Sequence, residues 1–367
     1  MRCKLSESID LKIGGVLLAA IFSILCFSGT ATAASNLPYV TEQGGEGHLV
    51  LSRDGETAPL YLSSADHEGV LMVAEDLQTD LGKVTGTAPL ITKDETPESA
   101  NAVIIGTVGK SPLIDRLVQN EKIDVSDIEG RWESTLIQVV DNPMPGIERA
   151  LVIAGSDKRG TIYGMYDLSE QIGVSPWYYF ADVPVQKKDA IYVRPGQHVI
   201  GEPAIKYRGI FINDEAPALS GWVYEKFGEF NHEFYGKVFE LILRLKGNFL
   251  WPAMWGRAFY VNDPKNPELA DKLGVVVSTS HHEPLMRAHV EWDWYGEGPW
   301  NYQQNAERLG EFWREGIERM GDNESLVTVG MRGDGDMPMS DSTNIALLEQ
   351  IVEDQREMIA DVTGKEP

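Results

Sequence analysis

Four short segments of the sequence place chemically active side chains at or just after the end of an apolar run. These side chains are Asn213, Asp214 and Glu215; Trp251 and Trp255; His281, His282 and Glu283; and Arg332, Asp334 and Asp336. Tryptophan rings offer flat faces to sugar rings, and two carboxyl groups in different environments can act as general acid and general base. An arginine can bind a substrate carboxylate through two parallel hydrogen bonds. Together these residue types indicate carbohydrate chemistry on an acidic sugar.

The carboxylates and indoles also have structural interpretations. Asp214 or Glu215 could cap a following helix, because acidic side chains accept hydrogen bonds from free backbone N–H groups there. Trp251 and Trp255 could pack in the core at the end of a buried strand. The functional interpretation therefore depends on the four segments meeting in space, and not on any one residue.

A metal site is weakly supported by these segments. The run His281-His282-Glu283 lacks the helical HExxH spacing, and adjacent histidines in an extended chain point in different directions, so one of the two is expected to be structural. The acidic turn at 334–336 lacks the full EF-hand spacing for calcium. Arg332 could instead form a scaffold ion pair with the first aspartate of that turn. We predict no metal and no cofactor.

The elements that carry these side chains alternate between strand and helix. Strands are predicted at 207–213, 248–255, 275–280 and 326–331, and helices at 224–247, 267–274, 305–321 and 344–364. Successive β/α units indicate a parallel sheet, with the active groups at its carboxyl edge as in a (β/α)8 barrel. Four units are half of such a barrel, so residues 205–367 are predicted to form its first half. A complete, doubly wound open sheet is the alternative.

Residues 35–201 are predicted to form a separate mixed-sheet α/β domain. The predicted strands lie at 48–52, 59–63, 101–108, 134–140 and 149–156, and the helices at 68–86 and 157–173. Apolar positions at helical spacing support the first helix, while Asp157 and Gly173 mark the ends of the second. The segment "AGSDKRG" lacks the spacing of a phosphate-binding loop.

Residues 1–33 are predicted to be a cleaved signal peptide. Basic residues precede a short apolar core, and "ATA" at 31–33 supplies small residues for cleavage. A single membrane anchor is the alternative, but no basic stop-transfer cluster follows the core. Both cysteines, Cys3 and Cys26, lie in this segment, which excludes disulfides and cysteine catalysis in the mature chain. We therefore expect a periplasmic or secreted protein that is not inserted in the membrane after cleavage.

The charge balance excludes one class of partner. The 367 residues include 56 acidic and 32 basic side chains, for a net charge of −24. Nucleic-acid binding requires a positive surface, so no nucleic-acid partner is expected. An acidic substrate would need a local basic group to bind this chain.

Several segments resemble the signature sequences of one enzyme family, glycoside hydrolase family 115, the xylan α-1,2-glucuronidases. These segments are "KYRGIFINDEAPALSGW", "KGNFLWPAMW", "STSHHEPLMR" and "VTVGMRGDGDMPM". The segment 157–184 is also similar to the α/β domain that precedes the barrel in that family. The resemblance implies removal of (4-O-methyl-)glucuronic acid from glucuronoxylan by an inverting route, with acid and base about 6.5–9.5 Å apart.

The resemblance also implies roles for individual residues. It makes Asp334 the carboxylate that protonates the leaving oxygen, with Asp214 and Glu215 as further catalytic residues at the sugar. Arg332 would hold the uronate carboxylate. The other predicted substrate-binding residues are Asn213, Trp251, Trp255, His281, His282, Glu283 and Asp336.

Members of the family are longer than this chain. We therefore expect a fragment whose second catalytic carboxylate lies beyond Pro367, which puts activity of the fragment alone in doubt. Dimer contacts are expected only in a full-length parent. Two other functions stay open: a non-catalytic polysaccharide-binding protein, and a metal-dependent barrel hydrolase using His281, Glu283, Asp334 and Asp336.

Overall fold

The computed structural model describes residues 38–333, 337–339 and 344–367. The predicted signal peptide and the two aspartates Asp334 and Asp336 lie outside these ranges. Within them, no helix has the length and apolar character needed to cross a membrane.

The first region is built on a six-stranded mixed sheet. The strands of this region are β1 (Val40–Thr41), β2 (Leu49–Arg53), β3 (Glu56–Thr57), β4 (Leu60–Leu62), β5 (Ile91–Lys93), β6 (Asn101–Thr107), β7 (Thr135–Met144), β8 (Ile147–Gly155), β9 (Ala190–Val193) and β10 (Gln197–Ile200). The helices are α1 (Glu68–Thr85), α2 (Pro112–Gln119) and α3 (Lys158–Gln171). The six-stranded sheet has the order β10-β7-β8-β6-β4-β5, and a smaller antiparallel sheet has the order β1-β9-β2-β3. The mixed-sheet α/β prediction for this region is confirmed.

Helices cover both faces of the six-stranded sheet. Along β8, Leu151 and Ile153 join the core that contains α1 and α3. The alternate residues Val152 and Ala154 join a second core that contains α2. Because side chains of a strand alternate between faces, a strand buried on both sides appears as one continuous apolar run.

The two predicted helices of this region form for local reasons. The first ends at Gly86, whose φ of 87° is the left-handed conformation that glycine adopts at a helix end. The second begins at Asp157, whose side chain accepts a hydrogen bond from Gly160 N at 2.8 Å.

The second region contains a parallel sheet surrounded by helices. Its strands are β11 (Gly209–Phe211), β12 (Phe249–Trp251) and β13 (Val276–Val277), and its helices are α4 (Ala218–Phe227), α5 (His232–Arg244), α6 (Phe259–Asn262), α7 (Lys265–Leu273), α8 (Val290–Tyr295), α9 (Tyr302–Met320) and α10 (Ile345–Thr363). The three strands pair in the order β11-β12-β13, each pair parallel. Three of the four predicted strands are thus present at the predicted places.

The helix predicted over 224–247 is two helices. Gly228, with a φ of 75°, ends α4. The side chain of Asn231 then accepts hydrogen bonds from Glu233 N and Phe234 N, both at 3.1 Å, and starts α5. A left-handed glycine followed by a capping asparagine divides a segment whose apolar spacing alone suggests continuity.

The fourth predicted strand, at 326–331, is not formed in the described residues. Only one isolated parallel bridge joins this part of the chain to β13, between Val277 and Ser325. Beyond it, Thr328 O accepts a hydrogen bond from Leu285 N at 2.9 Å. The carbonyl of Thr328 is therefore bound to the loop after β13 and does not pair with a neighbouring strand. The sheet of the second region therefore has three strands, and a half barrel is not established.

The two regions form one compact unit, and a buried carboxylate joins them. Glu133, whose side chain is fully buried, accepts hydrogen bonds from Arg208 Nη2 at 2.6 Å and Asn248 Nδ2 at 2.7 Å. It also forms an ion pair with Arg159 Nε at 2.6 Å. Because Arg208 and Asn248 directly precede β11 and β12, the first region fixes the amino ends of these strands.

Candidate active site

The carboxyl ends of β11, β12 and β13 bring most of the predicted residues to one edge of the sheet. We call this edge, formed by residues 212–215, 251–257, 280–283 and 331–332, the strand-end edge. The ladder continues into it, because Ile212 N donates to Trp251 O at 3.0 Å. Parallel neighbours end side by side, so residues about 40 and 70 positions apart in sequence become neighbours.

Trp255 is the most exposed aromatic side chain of this edge, at 57% of its surface. Its indole Nε1 donates to Asn213 Oδ1 at 3.3 Å. Asn213 Nδ2 in turn donates to Glu215 Oε1 at 3.4 Å. Asn213 and Glu215 are both exposed, so an indole, an amide and a carboxylate form one accessible polar and aromatic surface.

Asp214, in contrast, is only 1% exposed. Its Oδ1 accepts hydrogen bonds from Met254 N at 3.0 Å and Trp255 N at 3.2 Å. Neither Asp214 nor Glu215 caps α4, whose first residue follows Pro217 without a side-chain cap. The helix-cap interpretation is therefore wrong for both carboxylates.

A second aromatic group lies across the ends of β12 and β13. The rings of Trp251 and His281 are stacked, with centroids 6.1 Å apart and an interplanar angle of 29°. The ring of His281 is 4.0 Å from that of His282. Arg332 Nη1 donates to His282 Nε2 at 3.3 Å. A guanidinium only donates, so Nε2 of His282 is the acceptor of this contact.

Arg332 is held at this edge through its backbone as well. Trp300 Nε1 donates to Arg332 O at 2.9 Å. Trp300 was not among the predicted site residues, because no sequence pattern indicates that a tryptophan before a helix donates a hydrogen bond to a backbone carbonyl 32 residues later.

Glu283 lies below the surface, at 3% exposure. Its carboxylate accepts hydrogen bonds from His289 N at 3.0 Å and Ser280 N at 3.3 Å. Burial raises the pKa of this carboxyl to about 7, although these two backbone N–H groups act in the opposite direction. Glu283 thus holds both ends of the loop that presents His281 and His282.

Tyr235, on α5, is a buried neighbour of the strand-end edge. Its hydroxyl accepts a hydrogen bond from Ala253 N at 3.3 Å, directly after β12. Burial raises the pKa of this phenol above its usual value. Helical spacing of aromatic residues cannot distinguish such a supporting residue from ordinary core.

The predicted proton donor Asp334, and Asp336, lie outside the described residues, so their placement stays a prediction. Among the residues that the structure does describe, no three His, Cys, Asp or Glu side chains are grouped to hold a metal ion. A cavity of about 160 Å³ lies at the other end of the sheet, lined by Trp132, Arg159 and Glu324 among others. It is separate from the strand-end edge.

Comparison with known proteins finds one family whose model matches the second region of the chain. The model of glycosyl hydrolase family 115 matches residues 200–367. A solved structure, BtGH115A, is described as a family 115 4-O-methyl-α-glucuronidase with specificity for decorated arabinogalactans. It superposes with a TM-score of 0.73 at 29% identity, over 86% of this chain and 41% of that chain. Residues 200–367 thus match glycosyl hydrolase family 115, as the sequence motifs in this part of the chain predicted.

More distant structures share the fold alone. A chitobiase from Flavobacterium johnsoniae has a TM-score of 0.50 at 11% identity, over 89% of this chain and 50% of that one. A β-N-acetylhexosaminidase from Streptomyces coelicolor A3(2) has a TM-score of 0.50 at 10% identity, over 89% of this chain and 63% of that one. This chain therefore spans less than two thirds of each of the three structures. No curated protein sequence matches it significantly.

Proposed function

We propose that this chain is part of a glycoside hydrolase that removes (4-O-methyl-)glucuronic acid side chains from glucuronoxylan. The observation that carries the proposal is the strand-end edge, where exposed Trp255 and the stacked pair Trp251 and His281 lie at neighbouring strand ends. Arg332 joins them through its hydrogen bond to His282. Because the protein has a net charge of −24, an anionic sugar needs a local basic group to bind, and the guanidinium of Arg332 beside two imidazoles supplies one.

The residues at this edge divide into binding and chemical roles. Arg332 binds the uronate carboxylate, and the two tryptophans contact sugar rings. Asn213 and Glu215 supply polar contacts from the exposed surface. Asp334 protonates the leaving oxygen in an inverting reaction, in which a base about 6.5–9.5 Å away activates water. That base comes from a part of the protein that follows this chain.

We further propose that residues 205–367 are the first half of a (β/α)8 barrel, after an α/β domain at 35–201. The outer strand β11 leaves Ile210 and Phe211 exposed at 42% and 41%. At the opposite side of the sheet, Val329 is 42% exposed. Apolar side chains at both sides fit further strands that would close the barrel, and BtGH115A is more than twice as long as the matched part.

The segment 1–33 supports a secreted or periplasmic location. Mass spectrometry of the protein recovered from its host should find a mature chain that starts at about residue 34. Recovery of the intact segment in the membrane fraction would contradict cleavage.

Two polymers are candidate substrates of the proposed reaction. BtGH115A is described as specific for decorated arabinogalactans, so a glucuronidated arabinogalactan is the second candidate substrate. A protein that binds these polymers without cleaving them is the second candidate function, because the exposed Trp255 would serve binding alone equally well.

The experiment compares the full-length protein and this chain on both polymers. Released uronic acid is measured by chromatography, and the anomer formed first by NMR. We expect the full-length protein to release (4-O-methyl-)glucuronic acid from glucuronoxylan with inverted configuration, and this chain alone to release none. Release from arabinogalactan but not from glucuronoxylan would identify arabinogalactan as the substrate. Binding without release by the full-length protein would establish the non-catalytic function. Release of uronic acid at normal rates by this chain alone would refute the proposal that the catalytic base lies outside it.

A further inference from the structure

We propose that Asp214 is a positioning residue, which fixes Trp255 as a platform for a sugar ring and does not itself touch the substrate. This inference rests on the proposed carbohydrate function. It gives a different role from the catalytic one that the sequence resemblance implies.

The first argument is the environment of the two carboxylate oxygens. Oδ1 of Asp214 accepts two backbone hydrogen bonds, from Met254 and Trp255. Oδ2 is buried and has no hydrogen-bond partner among the described residues. A group that exchanges a proton with a bound sugar needs an accessible atom, and this carboxylate has none. Its neighbour Glu215 is exposed and does have one.

The second argument is the segment that the carboxylate holds. Residues 253–255 follow β12 without regular structure, yet three consecutive N–H groups are bound by side chains of other elements. Ala253 N donates to the hydroxyl of Tyr235 on α5, and the next two donate to Asp214. Backbone N–H groups bound in this way fix the chain direction where no ladder does. Gly256, with a φ of 66°, turns the chain away directly afterwards.

The third argument is the side chain that this segment presents. The indole of Trp255 is 57% exposed, while its Nε1 is bound to Asn213 Oδ1. Asn213 thus orients the ring, and Asp214 fixes the backbone that carries it. An aromatic ring with a bound polar edge and accessible faces is the arrangement that binding surfaces use. The tripeptide Asn213-Asp214-Glu215 therefore contains two supports for one tryptophan and one exposed carboxylate.

The positioning role and a catalytic role predict different effects of substitution. Asparagine at position 214 keeps an oxygen that can accept both backbone N–H groups, but it cannot carry a negative charge or transfer a proton. Alanine removes the acceptor altogether. A positioning residue is rescued by asparagine, whereas a catalytic carboxylate is not.

One arm of the test needs no ligand. The protein is labelled with 5-fluorotryptophan, and the Trp255 signal among its 9 tryptophans is assigned by Trp255→Ala. We expect Asp214→Ala to shift or broaden that signal, and Asp214→Asn to leave it in place. Glu225→Ala, an exposed carboxylate on α4, is the control and should leave it unchanged. An unmoved Trp255 signal in Asp214→Ala protein whose other signals show a native fold would overturn the proposal.

The other arm measures binding of a xylo-oligosaccharide that carries 4-O-methylglucuronic acid. Asp214→Ala and Trp255→Ala should each weaken binding by about tenfold to thirtyfold, and the double variant should be no weaker than either one, because both act through the same ring. Multiplied losses in the double variant, or a loss in Asp214→Asn equal to that in Asp214→Ala, would show that Asp214 touches the sugar. If the unsubstituted protein does not bind this probe, the proposed function fails, and the fluorine signals still decide the positioning role.

Discussion

Replacing Glu283 by glutamine removes a titrating carboxyl from beneath the strand-end edge. The wild-type carboxyl is 3% exposed and accepts hydrogen bonds from His289 N and Ser280 N. Burial raises its pKa from an ordinary 4.5 to about 7, and the nearby charge of Glu291 adds to this rise. Glutamine keeps the size of the side chain and an acceptor oxygen, and it does not titrate.

The raised pKa sets the sign and size of the effect on stability. The folded state binds the proton of Glu283 more tightly than the unfolded state does. The resulting stabilisation is complete below pH 4.5 and is lost as the pH rises through about 7. Since one pKa unit corresponds to 1.36 kcal/mol, the loss amounts to about 3 kcal/mol. The glutamine variant does not undergo this loss.

The assay is urea unfolding of wild-type protein and Glu283→Gln at pH 5 and pH 8. Because part of the stabilisation is already lost at pH 5, we expect Glu283→Gln to gain about 2 to 3 kcal/mol relative to wild type between these two pH values. Glu225→Gln, which removes an exposed carboxylate, is the matched control and should show no such change. An equal difference between Glu283→Gln and wild type at both pH values would refute the reasoning.

Three further substitutions test other contacts. Arg332→Ala should weaken binding of glucuronic-acid-bearing oligosaccharides by about thirtyfold or more and leave binding of neutral xylo-oligosaccharides unchanged in calorimetry; equal losses for both would contradict uronate binding. Glu133→Ala should lower the free energy of unfolding by about 3 kcal/mol or more, because it leaves Arg159 and Arg208 without this partner. A loss below about 1 kcal/mol would show that the Glu133 carboxylate does not join the two regions. Asn231→Ala should cost about 1 kcal/mol in urea unfolding through loss of the α5 cap, while no change would mean that packing alone starts this helix.

Local signals made part of the fold predictable from sequence. The helices at 68–86 and 157–173 have apolar spacing, and a glycine or aspartate marks their ends, so α1 and α3 form where expected. The strand predicted at 326–331 has a suitable apolar pattern but lacks a ladder. A strand exists only with a partner, and Thr328 is bonded to the loop after β13 instead.

The candidate site was predictable as a set of residues and not in its details. The order of parallel strands brings Asn213, Trp255 and His281 to one edge, because successive β/α units end on the same side. Which of two adjacent carboxylates faces solvent depends on the strand register, and Asp214 is buried while Glu215 is exposed. The role of Glu283 depends on backbone N–H groups of a loop whose path no sequence pattern indicates.

The most direct test of the proposed site is a crystal structure of the full-length protein with 4-O-methylglucuronic acid bound. We predict that the sugar lies at the strand-end edge, with its carboxylate on Arg332 and its ring against Trp251 or Trp255. Binding of the sugar in the cavity beside Trp132 and Arg159, or elsewhere away from this edge, would contradict the proposed site.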